Sequence, residues 1–225
     1  MKEFLTYVTT ASHWSGTRGI GHRTIEHLRL SFSATIVAAA VALPIAAWLG
    51  HVRRGGLAAQ SIVNIGRAIP SLAVLALLFP LSLQYGFGLG FWPTFAALVI
   101  LAVPPMFTNA YAGVRSVDPS VVEASLGMGM KPSEVLLRVE VPSALALIIA
   151  GVRIATLQVI ATATLGAYVG FNGLGSFISE GFGQRDDAKL LTGAVAVAVC
   201  ALSVDFIFGV VARRAMPWRT KGPTT

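Results

Sequence analysis

The sequence predicts an all-α integral membrane protein with about five transmembrane helices. Three observations lead there. Mean hydropathy is +0.72 across 225 residues. Only 12% of residues are charged, about half of the ~25% usual in a soluble domain. The charges also gather at the ends of uncharged runs close to the roughly 20 residues that a helix needs to cross the hydrocarbon.

The elements follow in chain order. Between Arg29 and His51 no formal charge occurs, which predicts the first span, with Pro44 tolerated inside a packed bundle. HVRRGG (51–56) is a basic turn. Residues 57–83 predict a second span interrupted by Arg67 and Pro70, and QYGFGLGF (84–91) a glycine-rich turn. Residues 92–114, with Pro104-Pro105 inside, predict a third span. A fourth runs from about Ser143 to Leu165 with Arg153 and Gln158 within it. A glycine-rich stretch over 166–189 suits a short interfacial helix, and a fifth span covers about 190–212 with Asp205 inside. The chain divides into an extracytoplasmic or interfacial segment (1–26), a transmembrane domain (27–213) and a basic tail (214–225).

Lys and Arg near helix ends set orientation. With five spans, Arg53, Arg54, Arg115, Lys131, Arg138, Arg213, Arg214, Arg219 and Lys221 share one side, against Lys2, Arg18, Arg23, Arg29, Arg185 and Lys189 on the other. Nine against six favours an outside N-terminus and a cytoplasmic C-terminus. The basic N-terminal segment argues the other way, and an extra interfacial helix there stays open. The net charge of +7 is read as this topology signal, not as nucleic-acid binding.

Other classes lose support on composition. The single Cys200 allows no disulfide framework. His13, His22, His27 and His51 are dispersed and no HExxH occurs, so no metal site and no catalytic cluster is expected. GMGMKPS (127–133) fails the phosphate-loop pattern because Lys131 follows Met130, and GFGLGF (86–91) fails GxGxxG at its last position. The first 26 residues, with Lys2, Glu3, Arg18, Arg23 and Glu26, lack the apolar core of a cleavable leader.

The interruption after the third span carries the function. EASLGMGMKPSEVLLRVEVP (123–142) is charged and broken by glycine and proline. Asp118 suits an N-cap and Pro119 a first helical position. Gly127 and Gly129 permit a bend, and Pro132 restarts a helix with Glu134 in its first turn and Arg138 one turn on. Pro142 is expected to break the chain again. Two short helices then meet at a glycine elbow and present Val121, Val122, Leu126, Met128 and Met130 beside Glu123. Such a ridge suits docking into a partner's groove; an amphipathic loop lying on lipid headgroups is the alternative.

The spacing of this segment resembles the EAA loop of ABC importer permeases: Glu123, Ala124 and Ser125, then Gly129, then Val139, Val141 and Pro142. Ser125 stands where a second alanine is usual, and the two valines stand where Ile and Leu are. RAIPSLAVLALL (67–78), FTNAYAGVRSVDP (107–119), AGVRIA (150–155) and ATATLGAYVGFNGLGSFI (161–178) resemble the osmoprotectant branch, the permeases for glycine betaine, carnitine and choline. The departures are Arg67, where an uncharged polar residue is more usual, and Phe171-Asn172, where a small residue and glycine are. The resemblance implies a type I importer permease fold with a cytoplasmic coupling loop (115–142) in a bacterial plasma membrane. It implies ABC ATPase subunits as partners, a second permease copy or paralogue, and an extracytoplasmic substrate-binding protein. No cofactor is expected in the chain itself, ATP being bound by the ATPases, and the chain is not an enzyme. The cargo implied is glycine betaine, carnitine, choline or a similar betaine. A methionine or sulfonate permease is the runner-up, and a passive channel is a further alternative.

A charge near the bilayer centre costs at least about 2.5 kcal/mol. Arg67, Arg153 and Asp205 are therefore expected to face the bundle interior or a wet cavity, either lining the path or fixing helix packing. Arg67 and Asp205 lie at similar depth, roughly 10–15 Å in from the cytoplasmic side, which predicts an Arg67–Asp205 salt bridge. Asn109 and Gln158, with Thr108, Thr162 and Thr164, are lining candidates. Tyr168, Phe171 and Phe177 at the outer mouth could meet a quaternary ammonium by cation–π attraction.

Overall fold

The computed structural model describes residues 2–53, 61, 63, 66 and 68–215. Among these, every regular element is helical. In chain order they are α1 (Lys2–Thr9), α2 (Ile20–Val52), α3 (Ser71–Gln84), α4 (Phe91–Arg115), α5 (Pro119–Gly127), α6 (Pro132–Val135), α7 (Val141–Thr162), α8 (Gly175–Gln184) and α9 (Asp187–Ala215). One π turn, Leu136–Glu140, joins α6 to α7, and a 3₁₀ segment, Ala163–Val169, extends α7.

Among the described residues, four helical runs are long and apolar enough to cross a membrane: α2, α4, the run Pro132–Val169 and α9. The second predicted span falls partly outside the described residues. Its described continuous part is α3, 14 residues long. Pro70, extended at ψ 133°, starts that helix instead of lying within one, as expected where proline disfavours helix in the residue before it.

The first span begins earlier than the charge pattern indicated. α2 starts at Ile20 and runs 33 residues. Arg23, Glu26 and Arg29 do not stop it. Arg23 is buried against Glu180, and Arg29 lies 3.7 Å from Glu26 one turn earlier. Pro44 and Pro104-Pro105 are likewise absorbed within helices.

α4 is the centre of the bundle. Leu98, Ala102, Met106 and Ala110 pack with Leu30, Ala34, Ala38 and Ala42 of α2 and with Ala155 and Val159 of α7, all buried. Without a hydrophobic drive between helices in lipid, small residues that let backbones approach are what hold such a seam. At Gly151 a Cβ would lie 2.7 Å from Asn109, and at Gly113 it would lie 3.1 Å from Ala144. α9 by contrast exposes Val199, Leu202, Phe206 and Ile207, a surface suited to lipid or another subunit. α1 and α8 close one end of the bundle, where Tyr7 packs on a buried cluster of Ile20, Leu174 and Phe177.

Candidate coupling loop and membrane ion pairs

The segment between α4 and α7 projects from the bundle as two short helices. Asp118 opens α5: its Oδ1 accepts the Ser120 N–H at 2.9 Å, and Pro119 takes the first helical position. That hydrogen bond holds the Asp118 carboxyl below the usual carboxylate range. α5 ends in paired reverse bonds, Met130 N–H to Ser125 O at 3.2 Å and Gly129 N–H to Leu126 O at 2.9 Å. This is the Schellman closure, which needs a left-handed residue at Gly129; its φ is +90°. Pro132 then opens α6, where Glu134 Oε2 accepts the Lys131 N–H at 2.9 Å. Glu134 thus caps its own helix, and the ion pairs among the described residues include none between Glu134 and Arg138.

Pro142 does not break the chain. It sits in the first turn of α7, and the π turn before it carries the helical path through. A π turn adds one residue and shifts the hydrogen-bond register, so the donor that proline lacks is accommodated without a kink to coil. Ser143 Oγ donates to Val139 O at 2.6 Å in the same place.

The loop's outer face is open. Glu123, Ala124 and Gly129 are exposed, as is Pro142, while Val139 is half-buried. Val121, Leu126, Met128 and Leu137 are exposed large apolar side chains, Met128 at 78%. Ser125 points inward at 4% exposure and donates to Val121 O. Val135 is fully buried at the base of the hairpin, whose two short helices pack on each other. A serine fits where an alanine is usual because its hydroxyl is satisfied within its own helix.

Of the expected Arg67–Asp205 pair, only Asp205 is among the described residues; Arg67 lies outside them. Asp205 is held by Arg153 across α7 and α9, in a two-pronged pair: Nε to Oδ1 and Nη2 to Oδ2, both 2.7 Å. The fork of a guanidinium matches a carboxylate in this geometry. The pair's side chains remain 40% and 34% exposed. Asn109 Nδ2 donates to Pro105 O at 2.8 Å and is half-buried, whereas Gln158 is exposed. Thr108, Thr162 and Thr164 are half-buried. Phe171 and Phe177 are core residues at 6% and 2% exposure and offer no open ring to a cation; Tyr168 is exposed. Phe177 instead lies under the Arg23 guanidinium, 4.5 Å from ring centre to Cζ.

Two arrangements went unread in the sequence. Glu180 on α8 accepts from Arg23 at 2.8 Å and pairs with Lys189 at 2.7 Å. Burial pushes its carboxyl up, but the two cations outweigh burial and hold it below the usual range. Arg23 continues into His27, Ser31 and Thr35, a buried polar stripe four residues apart on α2. That spacing was legible, but starting the helix at Arg29 hid it. The second arrangement joins His51 to Glu140 at 2.5 Å, with Glu140 only 1% exposed.

A bundle of apolar spans, a projecting helical hairpin with an open apolar ridge and a charge pair at mid-span mark the chain as a multi-pass membrane protein. The chain belongs to the family described as binding-protein-dependent transport system inner membrane components, whose model matches residues 33–217. Among its relatives, it is 35% identical over 196 residues to the choline transport system permease protein OpuBB of Bacillus subtilis, covering 87% of this chain and 88% of the relative. It is 36% identical over 195 residues to the carnitine transport permease protein OpuCB of Listeria monocytogenes, covering 87% of each. It is 35% identical over 194 residues to the osmoprotectant import permease protein OsmY of Salmonella typhimurium, covering 85% of this chain and 80% of that one. The fold is that of ABC importer permeases. It matches a chain of the inward-facing MetNI methionine ABC transporter with a TM-score of 0.77 at 21% identity, covering 87% of this chain and 95% of that one. It matches a chain of an amino acid ABC transporter with a TM-score of 0.71 at 22% identity, covering 94% and 98%.

Proposed function

We propose that the chain is the permease subunit of an ATP-binding-cassette importer for a small betaine or quaternary ammonium solute, in the class of choline, carnitine and glycine betaine. The observation that carries this reading is the loop 115–142. It is internally rigid, through a cap, a Schellman closure and a buried Val135, yet among the described residues Glu123, Leu126 and Met128 are left exposed. A rigid handle with an open apolar ridge fits capture in a partner's groove. The partner is a separate ATPase subunit on the cytoplasmic side, which binds the ATP. In the same reading the N-terminus lies outside. An extracytoplasmic binding protein delivers the solute.

The Arg153–Asp205 pair supports a paired assembly. It sits mid-span and is partly open, and charge facing lipid at that depth is costly. A second copy or paralogue, with a wet path between the two, would cover it. The matched pair presents both signs at no net charge, which suits a zwitterion or a screened cation. Asn109, Gln158 and Arg67 join this path in the same reading. A methionine cargo is favoured less: the methionine transporter likeness rests on fold at 21% identity, whereas the sequence relatives are choline, carnitine and osmoprotectant permeases.

The test is uptake into liposomes holding the permease with its ATPase and binding protein. ATP-dependent accumulation of labelled choline, carnitine or glycine betaine is expected. Equal flux without the ATPase would make the chain a passive channel, and accumulation of methionine alone would reassign the cargo.

A further inference from the structure

The handle must be joined to the helices it moves, and the joint lies at the C-terminal end of α2. We propose that His51 and Arg53 are positioning residues that tie both ends of the coupling loop to α2, so that displacement of the loop is carried into the first span. The proposal rests on the coupling reading above and deepens it.

Four contacts converge there. Where the loop leaves α4, Arg53 Nη2 donates to Val117 O at 2.9 Å and Arg115 Nη1 donates to Arg53 O at 3.3 Å. Where the loop re-enters the bundle, His51 Nδ1 and Glu140 Oε2 share a hydrogen bond of 2.5 Å. Between these ties Gly50 lies flat against α4. A Cβ there would stand 2.9 Å from Val114 Cβ, so the end of α2 has no room to slip past its neighbour.

The chemistry of the two ends marks them as built. Arg53 closes α2 in the left-handed region, φ 56°. A non-glycine residue there is strained and persists only where its surroundings over-determine it. Here the arginine's own side chain and carbonyl are both engaged by the start of the loop. At the other end Glu140 is 1% exposed. A buried carboxylate is retained only with a partner, and that partner comes from a helix 89 residues earlier in sequence. Glu140 is also the last residue of the π turn Leu136–Glu140. The extra residue of that turn sets the rotation at which α6 feeds α7. The loop thus reaches three spans at once: α4 by chain continuity, α7 through the π turn and α2 through the two ties.

The test uses the reconstituted importer, measuring solute moved per ATP hydrolysed. His51→Ala and Glu140→Ala are expected to keep the ATPase bound and turning over while solute per ATP falls about tenfold, within the usual range of coupling between sites. The double variant is expected to be no worse than either single. His51→Gln, whose amide can donate to the same carboxylate oxygen, is expected to restore most of the coupling. Arg53→Ala, at an exposed position, repeats the uncoupling should the buried variants fail to fold. The proposal is overturned if solute per ATP is unchanged in Arg53→Ala and His51→Ala, or if uptake, ATP turnover and ATPase binding fall together. Glu123→Ala separates the two levels. If it lowers stimulated ATP turnover while the α2 variants change nothing, the coupling reading stands and the tie falls. If it changes nothing, both fall.

Discussion

Glu123 and Gly129 do different work on the same hairpin. Glu123 is exposed and takes part in none of the ion pairs among the described residues, so Glu123→Ala is expected to leave melting in detergent unchanged while stimulated ATP turnover falls. Gly129 has no neighbour within 4 Å of a Cβ, but its φ is +90°. Gly129→Asp therefore meets no clash; it adds backbone strain of about 1–2 kcal/mol and a negative charge at the C-terminal end of α5. The helices are expected to stay inserted while ATPase co-purification weakens; normal uptake in both variants would count against the loop's assignment. At mid-span, Arg153→Ala leaves Asp205 charged without its fork. A lower melting temperature is expected, with Arg153→Ala/Asp205→Ala milder than Arg153→Ala alone, because an unpartnered charge is worse than none. Equal or additive losses would refute the pairing as the reason for either residue. Asp205 was readable as a charge needing a partner. That Arg153 faces it across α7 and α9 was not, since depth within a span does not say which helices pack together.

α8 is joined to α2 and α9 by Glu180, which receives Arg23 and Lys189. Its carboxyl pKa lies below the ordinary value, because the two cations outweigh the burial that would raise it. A carboxyl with a folded pKa below its unfolded one stabilises at pH above the unfolded value, about 4.3. That stabilisation is lost as pH falls through the lowered folded value. Melting in detergent should therefore be flat near neutrality and drop below about pH 4.3, and Glu180→Gln should shrink that drop; an identical acid profile in the variant would contradict it. At this scale, capping and turn chemistry were legible: Asp118, Pro119, Gly129 and Pro132 each do locally what their side chains dictate. The continuation through Pro142 was not legible. Proline signals a break, and only the register shift of a π turn, whose last residue Glu140 is bonded to His51 on α2, removes it. The start of α2 was missed for a related reason. Charges were read as the edge of a span, whereas here Arg23 is matched by Glu180 on α8 and Arg29 by Glu26 on α2 itself.

For the whole molecule, the spans follow from hydropathy, because lipid leaves a crossing chain almost no choice but helix. Their arrangement around α4 follows from close approach at Gly113 and Gly151, which no periodicity announces. The account's central claim is that the hairpin is gripped by an ATPase. It is tested most directly with a photo-cross-linking residue at Met128, the most exposed apolar position of the ridge, in membranes holding the complete importer. Illumination is predicted to join the chain to the ATPase subunit, with a yield that changes when ATP is added. Cross-links only to lipid, or to a protein on the extracytoplasmic face, would contradict the claim.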